Sequence, residues 1–166
     1  MSVFRAFLAA AVLMLSGCGW HLAGQYNVPE TLQPVYVDGG DVSFALRDNL
    51  VQALTTSGTA MADDPGSARS VVELRDEKVD RNVLSVGVDG KVREHELVYR
   101  VAFRMRGVDG KQLHPRQLVV LRRDTSFDED NVLGREGEER EARPDMEREA
   151  VQQILRRLRA VLARAA

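Results

Sequence analysis

Few residues in this chain have the types and spacing that chemistry requires. The 166 residues include one cysteine and three histidines, and we interpret the histidines as surface or strand-end residues (His21, His95 and His114). A closed zinc site needs four ligands at characteristic spacings, so no metal site is predicted. The sequence contains no G-x-S-x-G elbow, P-loop or H-E-x-x-H motif. These observations predict a protein that is not an enzyme and holds no cofactor.

A late acidic cluster has two interpretations (Asp124, Asp128, Glu129 and Asp130). Carboxylates are good calcium ligands, but the spacing and the glycine of an EF-hand loop are missing. The pattern therefore favours a solvated acidic loop over a calcium site.

Basic residues lie at the predicted first turn and along the strand that follows it. Lys91 and Arg93 come directly after Asp89-Gly90, and the polar face of the next strand carries three arginines (Arg100, Arg104 and Arg106). Arginine and lysine make charge-assisted contacts with phosphates, although alternating charges on a strand face also serve solubility alone. The formal net charge is only −2, so no nucleic-acid partner is expected.

The single cysteine follows an apolar run at the start of the chain. Residues Ala6 to Leu15 form an uninterrupted apolar run behind Arg5. The run has the length of the apolar region of a signal peptide and is too short for a membrane-spanning helix. Leu15-Ser16-Gly17-Cys18 resembles the lipobox of bacterial lipoproteins, in which the cysteine thiol receives a diacylglycerol. An ordinary signal peptide with an incidental cysteine is the alternative. We therefore predict a signal peptide over 1–17 and a lipid anchor on Cys18, in an extended N-terminal segment over 18–34.

The first elements after this segment follow from periodicity. Val35-Tyr36-Val37 is a short β-prone run that predicts a strand. Apolar residues then recur at three- and four-residue steps from Val42 to Ser57, which predicts an amphipathic helix. Asp41 is the expected N-cap of this helix, and Gly58 is expected to end it.

Leu97, Tyr99, Val101, Phe103 and Met105 alternate with a second set of residues that includes three arginines, which predicts a central strand with one wet face. Asp89-Gly90 and Asp109-Gly110 flank it and are typical of type I′ hairpin turns, so three strands should form a meander. The expected partners are Leu74 with Met105, Leu118 with Val101 and Val120 with Tyr99. In the strand before the first turn, Leu84, Val86 and Val88 continue the apolar face after a bulge or break near Val79.

The end of the chain predicts a second amphipathic helix, with Pro144 near its first turn and Glu136 to Glu141 as a polar connector before it. Its apolar stripe is Met146, Ala150, Ile154, Leu158 and Val161 or Leu162. The element order is β-α-β-β-β-α. It predicts an α+β two-layer sandwich over 35–166, in which two helices pack on one face of a four-stranded, mainly antiparallel sheet.

Several short motifs in order resemble one family, the LPS-assembly lipoproteins LptE. Cys18 to Leu22 (CGWHL) resembles the start of the mature proteins, and Val35 to Asp38 followed by Leu46-Arg47 and Leu50 is similar to their first strand and helix. The C-terminal signature is resembled by Phe127-Asp128, Val132-Leu133, Glu138-Glu139, Met146 and Ile154 to Leu158.

The resemblance implies a lipoprotein of the Gram-negative outer membrane, facing the periplasm or lying within the lumen of the LptD barrel. There it would bind lipopolysaccharide and act as plug and assembly partner of that barrel, one to one. The candidate lipopolysaccharide-binding residues are Lys91, Arg93 and Arg135, near the apolar Val86, Val88, Val132 and Leu133. A periplasmic lipoprotein carrier or chaperone for an apolar ligand is the alternative function, and it would need an apolar pocket.

The anchor gives the first testable prediction. The membrane form should begin at Cys18 and carry acyl chains there, because stable anchoring takes more than one chain. Intact-mass measurement should show the acyl additions on the chain from Cys18 to Ala166, and a soluble, unmodified product cleaved elsewhere would contradict this. Gly19 is not aspartate, which resembles the signal for export to the outer membrane. Gly19→Asp should therefore shift the protein toward inner-membrane fractions in a density gradient.

Overall fold

The structure is a computed structural model that describes residues 28–126 and 134–165, with side chains in the last helix from 142 to 160 and at 162. The strands are β1 (Val35–Asp38), β2 (Ser70–Val86), β3 (Val92–Gly107) and β4 (Gln112–Ser126), and the helices are α1 (Phe44–Thr56) and α2 (Gly134–Ala165). The sheet order is β1-β2-β3-β4, with β1 parallel to β2 and the other pairs antiparallel. This confirms the predicted α+β sandwich of two helices and a mainly antiparallel sheet.

Helix α1 is shorter than predicted, and a different residue caps it. Ser43 is the N-cap: its hydroxyl accepts a hydrogen bond from the Leu46 N–H at 3.2 Å. Asp41, the predicted cap, instead accepts hydrogen bonds from the backbone N–H of Asp76 at 3.3 Å. Gly58 follows the helix with φ +85°, a left-handed conformation suited to glycine, as predicted for the helix end.

The irregularity predicted near Val79 is a β-bulge at Asp76. In the β2–β3 ladder Arg75 pairs with Ala102 and Lys78 pairs with Arg100, so two residues of β2 lie opposite the single Val101. Asp76 takes the left-handed conformation, with φ 57°. Because faces alternate along a strand, one extra residue turns Glu77 and the following odd-numbered residues toward the helices.

The predicted strand pairs are wrong in register, with different consequences in the two hairpins. Leu74 pairs with Phe103 rather than Met105, a two-residue shift that keeps it on the buried face. Val101 pairs with Val119 and Tyr99 with Leu121, a one-residue shift that reverses the faces of β4. Leu118 is consequently 46% exposed, while Val119 and Leu121 are buried. The reason is that Pro115 and Arg116 lie opposite the single Arg104.

Both hairpin turns are formed by the same five residues, Gly-Val-Asp-Gly-Lys, at 87–91 and 107–111. In each turn the second glycine donates to the carbonyl of the first and has a positive φ, 79° for Gly90 and 80° for Gly110. The aspartates between them do not have positive φ. The hairpins are therefore three-residue turns with a bulged glycine, not the predicted type I′ turns, which need two residues with positive φ.

Helix α2 begins at Gly134, so the predicted polar connector, Glu136 to Glu141, is part of the helix and Pro144 lies inside it. The predicted apolar stripe is confirmed, and Leu162 is its last buried member. Burial of such side chains against the sheet contributes about 1.5–3 kcal/mol each, which holds the C-terminal part of α2 in place.

One carboxylate joins the two layers. The Glu77 side chain is 5% exposed and accepts hydrogen bonds from the Ser43 N–H at 2.5 Å, the Tyr99 hydroxyl at 2.9 Å and the Arg143 guanidinium at 3.3 Å. Burial, followed by the nearby Glu77 charge, raises the pKa of Tyr99 well above its ordinary value, so its hydroxyl stays protonated and donates. Glu77 therefore binds the start of α1, the centre of β3 and the middle of α2.

Replacing Glu77 should destabilise the whole domain. Glu77→Ala removes the shared acceptor and leaves buried donors unpaired, so we expect a loss of about 2–4 kcal/mol in the free energy of unfolding. Chemical denaturation at pH 7 measures this loss. Glu30→Ala removes an exposed carboxylate and is the control. Equal midpoints for the two variants would contradict the role given to Glu77.

Candidate functional site

The end of the sheet at the first hairpin carries apolar side chains that the core does not use. Val83, Leu84 and Val86 are 55, 50 and 56% exposed, and Val88 is fully exposed. The prediction that Leu84, Val86 and Val88 continue the buried face is therefore wrong. The last core residues of β3 and β4 toward this end are Leu97 and Leu121, and the hairpin extends beyond them.

Two of the predicted site residues lie at this apolar end. Lys91 and Arg93 start the return strand, and Lys91 is exposed. The Arg93 guanidinium lies 3.1 Å from Asp89, whose carboxylate also accepts the Lys91 N–H at 3.2 Å. The Lys91 N–H, together with the nearby Arg93 charge, lowers the pKa of Asp89. Asp89 thus fixes the conformation of the turn and holds Arg93 beside the exposed valines.

The third predicted residue, Arg135, lies in the first turn of α2, and its side chain is outside the described residues, as are Val132 and Leu133. Strand β4 ends at Ser126, which pairs with Glu94, directly beside Arg93. Helix α2 runs back along β4, because Arg157 donates to the Leu118 carbonyl at 2.9 Å and Arg123 lies 3.7 Å from Asp145. The beginning of α2 therefore points toward the sheet end that holds Lys91 and Arg93.

The arginines on the wet face of β3 are paired with carboxylates on neighbouring strands. Arg104 and Arg106 both contact Glu73, at 2.6 and 2.5 Å, and Arg100 contacts Asp80. Burial alone would raise the pKa of Glu73, but the hydrogen bonds from Arg104 and Arg106 outweigh it and hold that pKa below its ordinary value. These arginines thus have partners within the sheet, which favours a role in the domain itself over contact with phosphates.

The same wet face has a cleft of about 260 Å³, formed where the small Ala102 lies between longer neighbours. Its lining is mostly charged: Glu73, Arg75, Asp76, Arg104 and Arg116, with Ala102 and Phe103. An apolar ligand needs apolar walls, so this cleft does not favour the carrier alternative.

The remaining candidates for chemistry do not form a site in the part of the chain that the structure describes. His114 lies near the start of β4, one of the two predicted places, but it is fully buried: its Nδ1 lies 2.7 Å from the Pro115 carbonyl and its ring lies 5.0 Å from that of Phe103. No group of three or more potential metal ligands occurs among the described residues. His21 and the acidic residues 128–130 lie outside them.

The predicted signal peptide and Cys18 also lie outside the described residues. Within those residues, no helix combines the length and the apolar character needed to cross a membrane.

Two features of the site were not found from the sequence. The first is Val83. In the sequence pattern it falls on the opposite face of the strand from Leu84, Val86 and Val88. The second is Glu77, which stands in the charged run from Arg75 to Asn82, where no local signal separates it from the other charged residues. The bulge at Asp76 is the feature that makes it an inward-facing residue.

Comparison with known proteins places the chain among lipopolysaccharide-assembly proteins. Residues 32–158 match the family model "LptE: Lipopolysaccharide-assembly". The chain is 30% identical over 159 residues to the LPS-assembly lipoprotein LptE of Pectobacterium atrosepticum, covering 94% of this chain and 84% of the relative. It is 29% identical over 164 residues to the LptE of Yersinia enterocolitica, covering 97% and 77%.

Solved structures of lipoproteins share the fold. A lipoprotein B from Nitrosomonas europaea, solved by NMR, matches with a TM-score of 0.67 and 28% identity, covering 76% of this chain and 81% of that one. The rare lipoprotein B from Shewanella oneidensis matches with a TM-score of 0.64 at 24% identity, covering 74% and 90%. At the lower identity, the second match concerns the fold alone.

The pairing of Glu73 gives a prediction about pH. Its pKa is lower in the folded protein than the ordinary 4.5, so its ion pairs stabilise the fold above that pH, and the stabilisation is lost as pH falls through the folded-state pKa. Glu73→Gln should lower the free energy of unfolding by about 1–2 kcal/mol at pH 7 and by less at pH 3. Denaturation curves across this range test it, with the exposed Glu30→Gln as control. A constant difference between Glu73→Gln and wild type would contradict the prediction.

Proposed function

The chain belongs to the LptE family of lipopolysaccharide-assembly proteins, and from this premise we propose that it is an outer-membrane lipoprotein that binds lipopolysaccharide and partners the LptD barrel. In this role Cys18 carries the lipid anchor. The folded domain fills and stabilises the barrel from within, one to one, and supports insertion of lipopolysaccharide into the outer leaflet.

The observation that carries the binding proposal is the composition of the first hairpin end. Lipid A presents phosphates beside acyl chains, so a surface that meets it needs cations next to exposed apolar side chains. Val86 and Val88 supply the apolar part. Lys91 ends the same turn, and Arg93 is the second residue of β3 after it. Arg135 adds a third cation, because α2 begins toward this end of the sheet.

The partner proposal rests on the family and on how charge is distributed. Among the described residues, the sheet face opposite the helices consists of arginine–carboxylate pairs beside buried residues such as Val98 and Ala102. Such a face is stable in contact with water, and it also suits the polar lumen of an outer-membrane barrel. A face that is stable in water and suits a polar lumen agrees with a plug that is hydrated inside the barrel.

Charge reversal at the candidate site tests the proposal. In the full chain, Lys91→Glu, Arg93→Glu and Arg135→Glu together should weaken binding of purified lipopolysaccharide about tenfold or more, because charge-assisted contacts to phosphate become repulsive. Affinity is measured at fixed salt. Dephosphorylated lipid A should bind wild type more weakly than lipid A does, and the difference should vanish in the triple variant.

The second hairpin provides a matched control. Lys111 occupies the same place in the identical turn at the other end of the sheet, so Lys111→Glu should leave lipopolysaccharide affinity unchanged. Co-purification of LptD from detergent-solubilised outer membranes should be equal for wild type and both variants. Wild-type affinity in the triple variant would refute the binding site, and absence of LptD from the purified protein would refute the partnership.

A further inference from the structure

Helix α2 has a weak point between its packed part and the part that approaches the candidate site. Pro144 has no backbone N–H and its ring crowds the carbonyl four residues earlier, so the hydrogen-bond ladder is interrupted there. After Pro144 the helix is held by the buried stripe from Met146 to Leu162. Before it, Ala142 is partly buried against the core and Arg143 is the next side chain toward the proline.

Arg143 spans this weak point. Its Nε donates to Glu147 at 2.9 Å, on the far side of the proline, and its Nη2 donates to Glu77 at 3.3 Å, on the sheet. Both carboxylates are 5% exposed, whereas the Arg143 side chain is 46% exposed, so the contacts are shielded from water on the carboxylate side. One guanidinium therefore ties together the two sides of the proline and the sheet.

Glu77 is a fixed anchor for this contact. The Ser43 N–H and the Tyr99 hydroxyl hold its carboxylate from two other elements. Glu77 also lies in β2, the strand that continues to the hairpin with Lys91 and Arg93. The Arg143–Glu77 contact consequently sets the direction of the beginning of α2 relative to that hairpin.

The lengths of the elements bring the two parts together. Asp145 lies near Arg123, and Arg135 precedes Asp145 by ten residues, which is about 15 Å of helix. Ser126, opposite Glu94, follows Arg123 by three residues, which is about 10 Å of strand. The backbone of Arg135 thus comes roughly level with the start of β3.

We infer that Arg143 is a positioning residue: by binding Glu77 and Glu147 across Pro144, it holds the first turns of α2 where Arg135 acts together with Lys91 and Arg93 on one phosphorylated lipid. This inference rests on the proposed function. Arg143 itself does not contact the lipid, and it acts by reducing the ordering that binding would otherwise require.

The test uses Arg143→Met, which keeps much of the apolar stem and removes the charge, and Arg143→Lys, which keeps a charge for Glu77. Arg148→Met is the matched control, because Arg148 is exposed on the same helix and pairs only with Asp145 among the described residues. Spin labels at Val88→Cys and Arg135→Cys report the distance between the hairpin and the start of α2. Introduced cysteines are labelled selectively, since the chain's one other cysteine is Cys18, which the anchor blocks.

The distance distribution should be narrow in the unsubstituted and Arg148→Met backgrounds, broad with Arg143→Met and narrow again with Arg143→Lys. In unlabelled full-chain protein, Arg143→Met should weaken lipopolysaccharide binding about threefold to tenfold, and Arg143→Lys should restore it. Circular dichroism and denaturation check that each variant is folded. If Arg143→Met destabilises the fold too far, Glu147→Gln is used instead. It weakens the Arg143–Glu147 contact and should likewise broaden the distance distribution.

Three failures are distinguishable. An unchanged distance distribution in Arg143→Met overturns the positioning role, whatever the lipid affinity. If the distribution broadens but lipopolysaccharide affinity does not change, while reversal of Lys91, Arg93 and Arg135 still weakens binding, the role of Arg143 in binding is overturned and the proposed function stands. If that triple reversal has no effect, the proposed binding site itself fails.

Discussion

The extra residue that β2 carries opposite Val101 decides which side chains of the first hairpin face the helices. Without it, the carboxylate of Glu77 would point to the wet face, as that of Glu73 does. With it, Glu77 accepts hydrogen bonds from the N–H of the N-cap Ser43, the hydroxyl of Tyr99 and the guanidinium of Arg143. A buried carboxylate is costly unless it is well paired, so the two helices and the sheet must take mutually consistent positions. Asp76, the first bulged residue, adopts a left-handed conformation, which residues with short polar side chains tolerate better than most others.

The wet face of the sheet and the hairpin end differ in how their apolar side chains are covered. Arg100, Arg104 and Arg106 pair with carboxylates of the adjacent strand. They share their face of the sheet with the buried Val98 and Ala102, and no helix of the described residues packs on that face. The hairpin end differs because its apolar side chains are not covered. The core of the described residues ends before this hairpin, whereas the arginines of β3 that stood out in the sequence pair with carboxylates of the sheet.

Periodicity in the sequence was sufficient for the elements and their order, because alternation and three- to four-residue spacing follow directly from strand and helix geometry. It was not sufficient for register, since Asp76 and Pro115 each add a residue whose effect depends on the opposite strand. The N-cap was similarly decided by a distant contact: Ser43 and Asp41 are both capping residues, and the one whose N–H reaches Glu77 starts the helix. Lys91 and Arg93 could be proposed from local chemistry, whereas the exposure of Val83 and Leu84 depends on where the core stops.

The length of β2 and β3 beyond the core has an energetic consequence. Past Glu94, the described part of the sheet contains only two strands, and a two-stranded ribbon is marginally stable in water by itself. Its order here comes from continuity with the three-stranded ladder and from the Asp89 contacts in the turn. Val83, Leu84 and Val86 keep half or more of their surface exposed on this ribbon, so they contribute less burial energy than the core residues do. The exposed apolar side chains and the Asp89–Arg93 ion pair therefore lie together on a ribbon that the core of the described residues does not cover.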